Sequence, residues 1–566
     1  MERRTFYGVV SALLLTTMLV WGTEIRLAKS DPAVLRVPVD YPTIQEAVDA
    51  ASLGDIVYVY AGTYYENVVI DKSLDLMGEN RETTIIDGSL AGNVVYVTAS
   101  SVSVHGFTVR NSGTAWQNNF GIYIFGEGSD SNSVSDNIIT NNGCGIRLEG
   151  YLGDSSNNVI DGNSITDNGA GLSLWLSSNN RIYRNNVQNN NYGVGIGVAM
   201  NSNDNIITEN NITDNGGYGL EVAQSGRNTI TANKIVGNGA DGIWLGKTSH
   251  SIITANNIAS NGGSGIRVEW GGGGDTIFAN NIKNNLVGIY LWLSWGAPKI
   301  YHNNILDNVD QADVYSGPIN TWDDGYPSGG NYWSDYEGTD VFSGPLQDTP
   351  GSDGIGDTPY IIEAPYALEN IDHYPLINPW TPTAILDIDL DTLNLKSMGR
   401  WITAYIQLPE GYSPANINAS TILLNRTIAP FLDHKYGFVT NSSGYLVDHN
   451  NDGVLERMLK FDRATVQSLI YNQGIRYGDV ALTLTGELLD GTSFEGTDVV
   501  FVNYAGDVNS DGTINILDTA AISAHWYPGP PIGPLSYDLN ADFNRDEAVD
   551  IIDVGILSVN WGQTTP

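Results

Sequence analysis

Asn157-Asn-Val-Ile-Asp-Gly-Asn-Ser-Ile-Thr-Asp-Asn-Gly-Ala-Gly-Leu-Ser-Leu174 decides the fold of this chain. Its opening recurs as Asn179-Asn-Arg-Ile-Tyr-Arg-Asn185 and Asn203-Asp-Asn-Ile-Ile-Thr-Glu-Asn210, with further copies ending at Asn233, Asn256, Asn280 and Asn303. The spacing is 22 to 25 residues, and every copy runs into an apolar residue (Ile165, Val187, Ile212, Ile235, Ile258, Ile282, Ile305) and an Asn-rich turn. The unit closes on Gly-apolar-x-apolar: Gly121-Ile-Tyr-Ile124, Gly145-Ile-Arg-Leu148, Gly171-Leu-Ser-Leu174, Gly193-Val-Gly-Ile196, Gly219-Leu-Glu-Val222, Gly242-Ile-Trp-Leu245, Gly265-Ile-Arg-Val268 and Gly288-Ile-Tyr-Leu291. Alternation puts one side chain of each pair inside and its neighbour outside. Strands this short, with turn residues every few positions, leave no room for a helical crossover. A leucine-rich repeat has a similar period but needs a different Leu/Asn consensus. The chain therefore coils about one axis as a parallel β-helix, each coil about 4.8 Å above the last. Asparagines at one station stack into a hydrogen-bonded ladder. Asn-Gly steps such as Asn142-Gly143, Asn168-Gly169 and Asn238-Gly239 are expected to supply left-handed turns.

Such a stack needs covered ends. Thr43-Ile-Gln-Glu46 is a capping-box sequence opening a short helix, with Ile44, Ala47, Val48 and Ala51 on one face to lid the first coil. Together with Ala61-Gly-Thr-Tyr64, the Asn-rich coils, Gly330-Asn-Tyr-Trp-Ser-Asp335, Gly354-Ile-Gly-Asp-Thr-Pro-Tyr360 and Asp372-His-Tyr-Pro375, this segment resembles the NosD-type right-handed β-helix proteins. The resemblance covers roughly residues 34–380. It implies a pectin-lyase-like fold within a wider class of carbohydrate-binding proteins and sugar hydrolases, and it carries little chemistry because this scaffold hosts many activities.

The outward residues of the repeated strand form two columns. One runs Tyr123, Arg147, Ser173, Gly195, Glu221, Trp244, Arg267, Tyr290, and the other Phe125, Glu149, Trp175, Gly197, Ala223, Gly246, Glu269, Trp292. Outward aromatics among polar groups suit sugar rings, which offer an apolar face and a hydroxylated edge. Covering of the rings by loops or later domains is the competing expectation. The Arg–Glu neighbours read first as surface ion pairs. The Asn-Thr-Asp, Gly-His-Gly and Arg-Ile-Lys signatures of polygalacturonase-like hydrolases are missing, so the sequence leans away from an enzyme. The family name suggests copper, but the seven histidines, six methionines and one cysteine are scattered, which disfavours a soft-metal site.

From about Thr381 the Asn-rich period stops. Trp401–Leu408, Val480–Leu484 and Asp498–Val502 alternate as half-buried strands, which predicts a β-sandwich over 381–504. Within it Asp448, Asn450, Asp452 and Glu456 resemble half of a calcium loop, and Ser352-Asp-Gly-Ile-Gly-Asp357 is a weaker case. The tail is more specific. Asp507, Asn509, Asp511, the Thr513 carbonyl, Asn515 and Asp518 match a twelve-residue calcium loop with Gly512 at its turn. Asp542, Asn544, Asp546, the Ala548 carbonyl, Asp550 and Asp553 form a second, with Glu547 at the turn. The doublet resembles a dockerin over 505–566, which implies a cohesin-type partner meeting Ile516, Leu517, Ser523 and Ala524 on one repeat and Ile551, Ile552, Ser558 and Val559 on the other. The competing role for these aliphatics is to close the core between the repeats.

Acidic residues outnumber basic ones 64 to 26, a formal charge of −38, which argues against nucleic acid as a partner. Arg3 and Arg4 precede an apolar run from about Gly8 to Trp21, shorter than a confident membrane span of about 20 residues. Residues 1–30 thus read as an export signal, cleaved or kept as an anchor, and the anchor is the one route to a membrane. Cys144 is the only cysteine, so no internal disulfide holds an exported chain together. The expected organisation is a β-helix over 34–317, its extension over 318–380, the sandwich and the dockerin-like doublet. The expected function is that of an extracellular or cell-surface polysaccharide-binding protein attached through its calcium-folded tail. The alternatives are a polysaccharide lyase or glycoside hydrolase, and a structural or adhesive surface protein.

Overall fold

A computed structural model describes residues 31–503, 515–524, 549 and 551–559, apart from 114–118, 127, 151–154, 192, 272, 293–295, 363, 365, 367–368, 390, 396, 398, 410–411, 433–444, 476–477 and 490. The export signal over 1–30 lies outside the described residues.

Helix α1 (Ile44–Ala50) sits where the capping box placed it. Thr43 accepts from the Glu46 amide, and Ile44, Ala47 and Val48 are buried against the first coil. Glu66 takes the role of the acid at the helix N-terminus, accepting from the amides of Ile44 and Gln45 at 3.0 Å each. Beyond it the chain winds through three all-parallel sheets of 12, 11 and 12 strands. The first runs from Val34–Val37 to Lys299–Tyr301, the second from Val68–Ile70 to Asp310–Ser316, and the third from Gly62–Tyr65 to Tyr332–Trp333. Inward residues such as Ile146, Ile160 and Ile165 have no exposed surface, so the interior is one continuous aliphatic stack.

Three asparagine ladders run along the corners, each Oδ1 accepting from the backbone N–H one coil below. One climbs from Asn137 through Asn163, Asn185 and Asn210 to Asn303 and Asn331, and ends on Asp372. A second climbs from Asn132 to Asn228 and ends through Ser251 on Asp275. The third climbs from Asn142 to Asn308 and ends on Gln311. These satisfy corner amides that the sheets leave unpaired.

Two expectations of local geometry need correction. The left-handed corner residue is the one before the ladder asparagine, as in Asn141 (φ 56), Asp167 (φ 57) and Gly237 (φ 71), and not the glycine after it. That glycine is needed for space: a Cβ on Gly239 would lie 2.4 Å from the Gly216 carbonyl of the coil below. The strand register also shifts by two residues in one coil. Ser173 pairs with Gly197, Gly197 with Glu221, Trp175 with Ala199 and Ala199 with Ala223. The repeat copy is therefore Gly195-Ile-Gly-Val198, because Gly195 takes the tight corner that Gly171 and Gly219 take.

The extension closes the far end of the stack. Trp322 and Trp333 are fully buried and donate from Nε1 to Asn370 (3.0 Å) and Asp372 (2.9 Å). The next unit is a single eight-stranded sheet curled over its own core, with helix α2 (Arg463–Asn472) packed on it. It leans on the third sheet, where Asn281 donates to the Thr492 hydroxyl (3.0 Å) and Tyr412 to the Ala279 carbonyl (3.0 Å). Helices α3 (Ile516–Ala524) and α4 (Ile551–Val559) follow, sharing a core of Ile522, Val549 and Leu557 against which Leu395 packs.

Candidate functional site

The second sheet carries the outward columns. With the register corrected, one column reads Tyr96, Tyr123, Arg147, Ser173, Gly197, Glu221, Trp244, Arg267, Tyr290, and the other Phe125, Glu149, Trp175, Ala199, Ala223, Gly246, Glu269, Trp292. These residues gather into two clusters separated by small side chains.

The lower cluster is aromatic with one neutralised cation. Tyr96 stacks on Tyr123 at 5.3 Å, and Tyr123 meets Phe120 at 4.6 Å and Phe125 at 5.3 Å. Arg147 donates to Glu149 (3.1 Å) and Ser173 (2.8 Å), and its guanidinium lies 5.0 Å from the Trp175 ring. Tyr123 donates to the same Glu149 carboxylate at 3.2 Å; burial first, then that anion, hold its phenol well above the usual range. Cys144 lies beneath, buried between Phe120 and Ala170, where burial pushes its thiol up to about 12.

The upper cluster is larger. The Trp244 indole lies flat over Gly246, where a Cβ would come within 2.4 Å of the ring, and stacks on Tyr218 at 5.6 Å and 12°. Its Nε1 donates to Glu269 at 3.2 Å. Arg267 forks onto Glu269 through Nε (2.8 Å) and Nη2, comes within 4.0 Å of Asp241 and lies 4.8 Å over the Tyr290 ring. Asp241 is buried and accepts from the Ser264 amide at 2.6 Å; burial raises its pKa against that bond and the Arg267 charge. Glu221 stands half-buried beside Trp244, with no hydrogen bond or ion pair among the described residues, and burial alone raises its pKa. Further along the axis Trp270, Trp292, Tyr315 and Tyr366 form an unbroken row at 5.6, 5.6 and 5.2 Å, and Trp270, Tyr315 and Tyr366 are exposed.

The structure thus brings together all eleven outward residues singled out in the sequence, five in the lower cluster and six in the upper. Sequence reasoning missed Tyr218 and Asp241, which precede the glycine of the repeat and form a third column with Phe120, Cys144 and Ser264. The residue before each Gly-apolar-x-apolar was a readable signal. It also missed Trp270 and Tyr366, which lie past the strand alternation, and Tyr315, which sits in the last strand where the register shifts.

The calcium candidates divide. In the curled sheet, Asp448, Asn450, Asp452 and Glu456 accept from amides of their own loop at 2.7 to 3.2 Å, those of Gly453, Asp452, Val454 and His449. Among the described residues, these included, no group of three or more His, Cys, Asp or Glu is placed to hold a metal. In the 352–357 turn, Asp357 accepts from the amides of Val341 and Phe342 and from the Thr339 hydroxyl, so its carboxylate ties the loop. In the tail, Asp518 is fully buried in the first turn of α3 and accepts from the Asn515 amide at 2.8 Å, while Asn515 Oδ1 accepts from Leu517. An amide oxygen and a buried carboxylate on one turn are hard donors that fit a calcium ion. The remaining loop residues, Asp507, Asn509, Asp511, Thr513, Asp542, Asn544, Asp546, Ala548 and Asp550, lie outside the described residues, as does the side chain of Asp553. Ile516 (66%), Leu517 (57%), Ile551 (69%) and Ile552 (50%) are exposed at the starts of the two helices, with Ser523, Ala524 and Ser558 also exposed. The Val559 side chain lies outside the described residues.

Three family models match the chain. The model for a right-handed β-helix region covers residues 93–253, that for periplasmic copper-binding protein (NosD) covers 195–338, and that for the dockerin type I domain covers 505–560. No curated protein matches. Among solved structures, the A-module of Azotobacter vinelandii mannuronan C-5 epimerase AlgE4 is similar at 20% identity and TM-score 0.38, covering 51% of this chain and 88% of its own. The Dettilon tailspike protein is similar at 14% identity and TM-score 0.40, over 76% of this chain and 94% of its own. The catalytic domain of a GH87 α-1,3-glucanase is similar at 14% identity and TM-score 0.35, over 51% and 67%. The molecule is a right-handed parallel β-helix protein, similar over part of its coils to the NosD model and over its tail to the dockerin type I model. Among the described residues, the five histidines (His105, His250, His302, His373 and His449) and the buried Cys144 join no group of three or more His, Cys, Asp or Glu placed to hold a metal, which does not fit copper. His105 meets Asp75, His302 the Ser328 carbonyl, His373 Asp323 and His449 the Tyr405 ring.

Proposed function

We propose that this is an exported modular polysaccharide-binding protein. Its second sheet holds the glycan, the curled sheet is a spacer, and the dockerin segment, folded by calcium through Asp507–Asp518 and Asp542–Asp553, attaches it to a cohesin-bearing partner. The observation that carries the glycan assignment is the aromatic row along the sheet, with Trp244 laid flat over Gly246. Flat indoles beside hydrogen-bonding groups match the two sides of a sugar ring. The described contacts of the curled sheet with the third sheet support this reading. The exposed aliphatic pairs Ile516–Leu517 and Ile551–Ile552 support a protein partner at the tail.

A lyase or hydrolase at the same face is the second reading, favoured by Glu221, whose raised pKa suits a general acid. A combined binding and depolymerisation screen on polysaccharides, with and without chelator, separates them. Binding without new reducing ends or unsaturated products is expected. Binding that persists in the Trp175/Trp244/Trp292 triple alanine variant would remove the face from the account.

A further inference from the structure

The binding face has more acid than cation, and its cations are already engaged. Arg147 is taken by Glu149 and Ser173, Arg267 by Glu269 with Asp241 nearby, and Lys247 lies 5.9 Å over the Trp270 ring. Glu221 has no such partner. Around it the columns lose their bulk: Gly197 is its neighbour one coil below, and Ala199 and Ala223 lie beside it. The rings resume at Trp175 and Trp244, three coils apart. At about 4.8 Å per coil the dip is about 14 Å from wall to wall.

Building on the glycan-binding reading, we infer that this face takes an uncharged polysaccharide, and that Glu221 selects it by accepting hydroxyl hydrogens from a sugar seated between Trp175 and Trp244. A hydroxyl bonding to a carboxylate makes a charge-assisted contact, roughly twice as strong as a neutral one. A uronate would instead bring a second negative charge beside a half-buried carboxylate, where like charges disfavour each other most. Among the described residues of the face, both guanidinia, Arg147 and Arg267, are already paired. The chain's formal charge of −38 repels a polyanion at longer range as well.

The test is affinity electrophoresis of the full chain in calcium, at physiological ionic strength. The gels carry neutral polymers (dextran, laminarin, galactomannan, xylan) or uronate polymers (alginate, polygalacturonate). At least one neutral polymer is expected to retard the protein, and neither uronate should. Glu221→Gln keeps the shape and loses the charge. It should weaken the neutral complex about tenfold, equivalent to about 1.4 kcal/mol, with an unchanged circular dichroism spectrum. Uronate binding as tight as the best neutral polymer overturns the inference and leaves glycan binding standing. Unchanged neutral affinity in Glu221→Gln overturns the role of that residue. Retardation by none of the polymers withdraws both this inference and the glycan reading beneath it.

Discussion

Gly246 shows how one residue governs the site. Its hydrogen is what lets the Trp244 indole lie down on the sheet, since a methyl there would sit 2.4 Å from the ring edge. Gly246→Ala therefore tilts the indole off Tyr218 and breaks its bond to Glu269, while the strand pairing to Ala223 and Glu269 stays intact. The expected outcome is about a tenfold loss of glycan affinity and a shift in tryptophan fluorescence, with little change in melting temperature. Equal affinity in the variant would mean that the flat indole is not the platform. The outward position of Trp244 was legible from period-2 alternation alone. Its orientation was not, because that depends on what stands beside it one station along the strand. The same limit hid Asp241: the alternation breaks at each corner glycine, so the residue before it looked like turn rather than wall.

The ladders belong to the scale of the element. Asn210 accepts from the Asn185 amide and side chain, and donates to Ile182, Thr208 and Asn233. Asn210→Ala orphans several buried groups at once, each costing about 1–3 kcal/mol. Because each coil touches only its neighbours, the loss should be local. Hydrogen exchange is expected to quicken in the coils around 182–233 and to stay unchanged at the capped ends. The closing rung behaves differently. Asp372 has no exposed surface, and burial pushes its pKa to about 7 despite four N–H donors, two from Asn331 and one each from Trp333 and Tyr374. The folded state then binds a proton that the unfolded chain has already released between about pH 4 and 7, so stability falls as pH rises through that window and levels off above it. Exchange protection near Trp322 and Trp333 should be greater at pH 5 than at pH 8, and Asp372→Asn should flatten that slope. The ladders themselves were plain in the 22 to 25 residue spacing of asparagines. Their terminators were not, since Asp372 reaches its rung from 41 residues away and repeats nothing.

The whole molecule joins two kinds of stability. The β-helix is a long aliphatic stack whose corner amides are taken up by the asparagine ladders. The tail is the opposite case: its two described nine-residue helices share Ile522, Val549 and Leu557 as buried members, with Leu395 and Val554 packed against them. Under the proposed calcium reading, the carboxylates that the sequence spaces through both repeats repel one another without a cation, and binding the ion is then coupled to folding of the segment. Calorimetry of the full chain should therefore show a melting transition of the tail that moves with calcium, while the transition of the β-helix does not. Chelator should abolish capture by a cohesin domain and leave polysaccharide retardation unchanged. Asp518→Ala, which removes the buried carboxylate of the first loop, should lower the tail transition even in calcium. If the tail keeps its exchange protection after chelation, its order comes from packing on Leu395 and the curled sheet instead, and a calcium-dependent attachment would have to be abandoned.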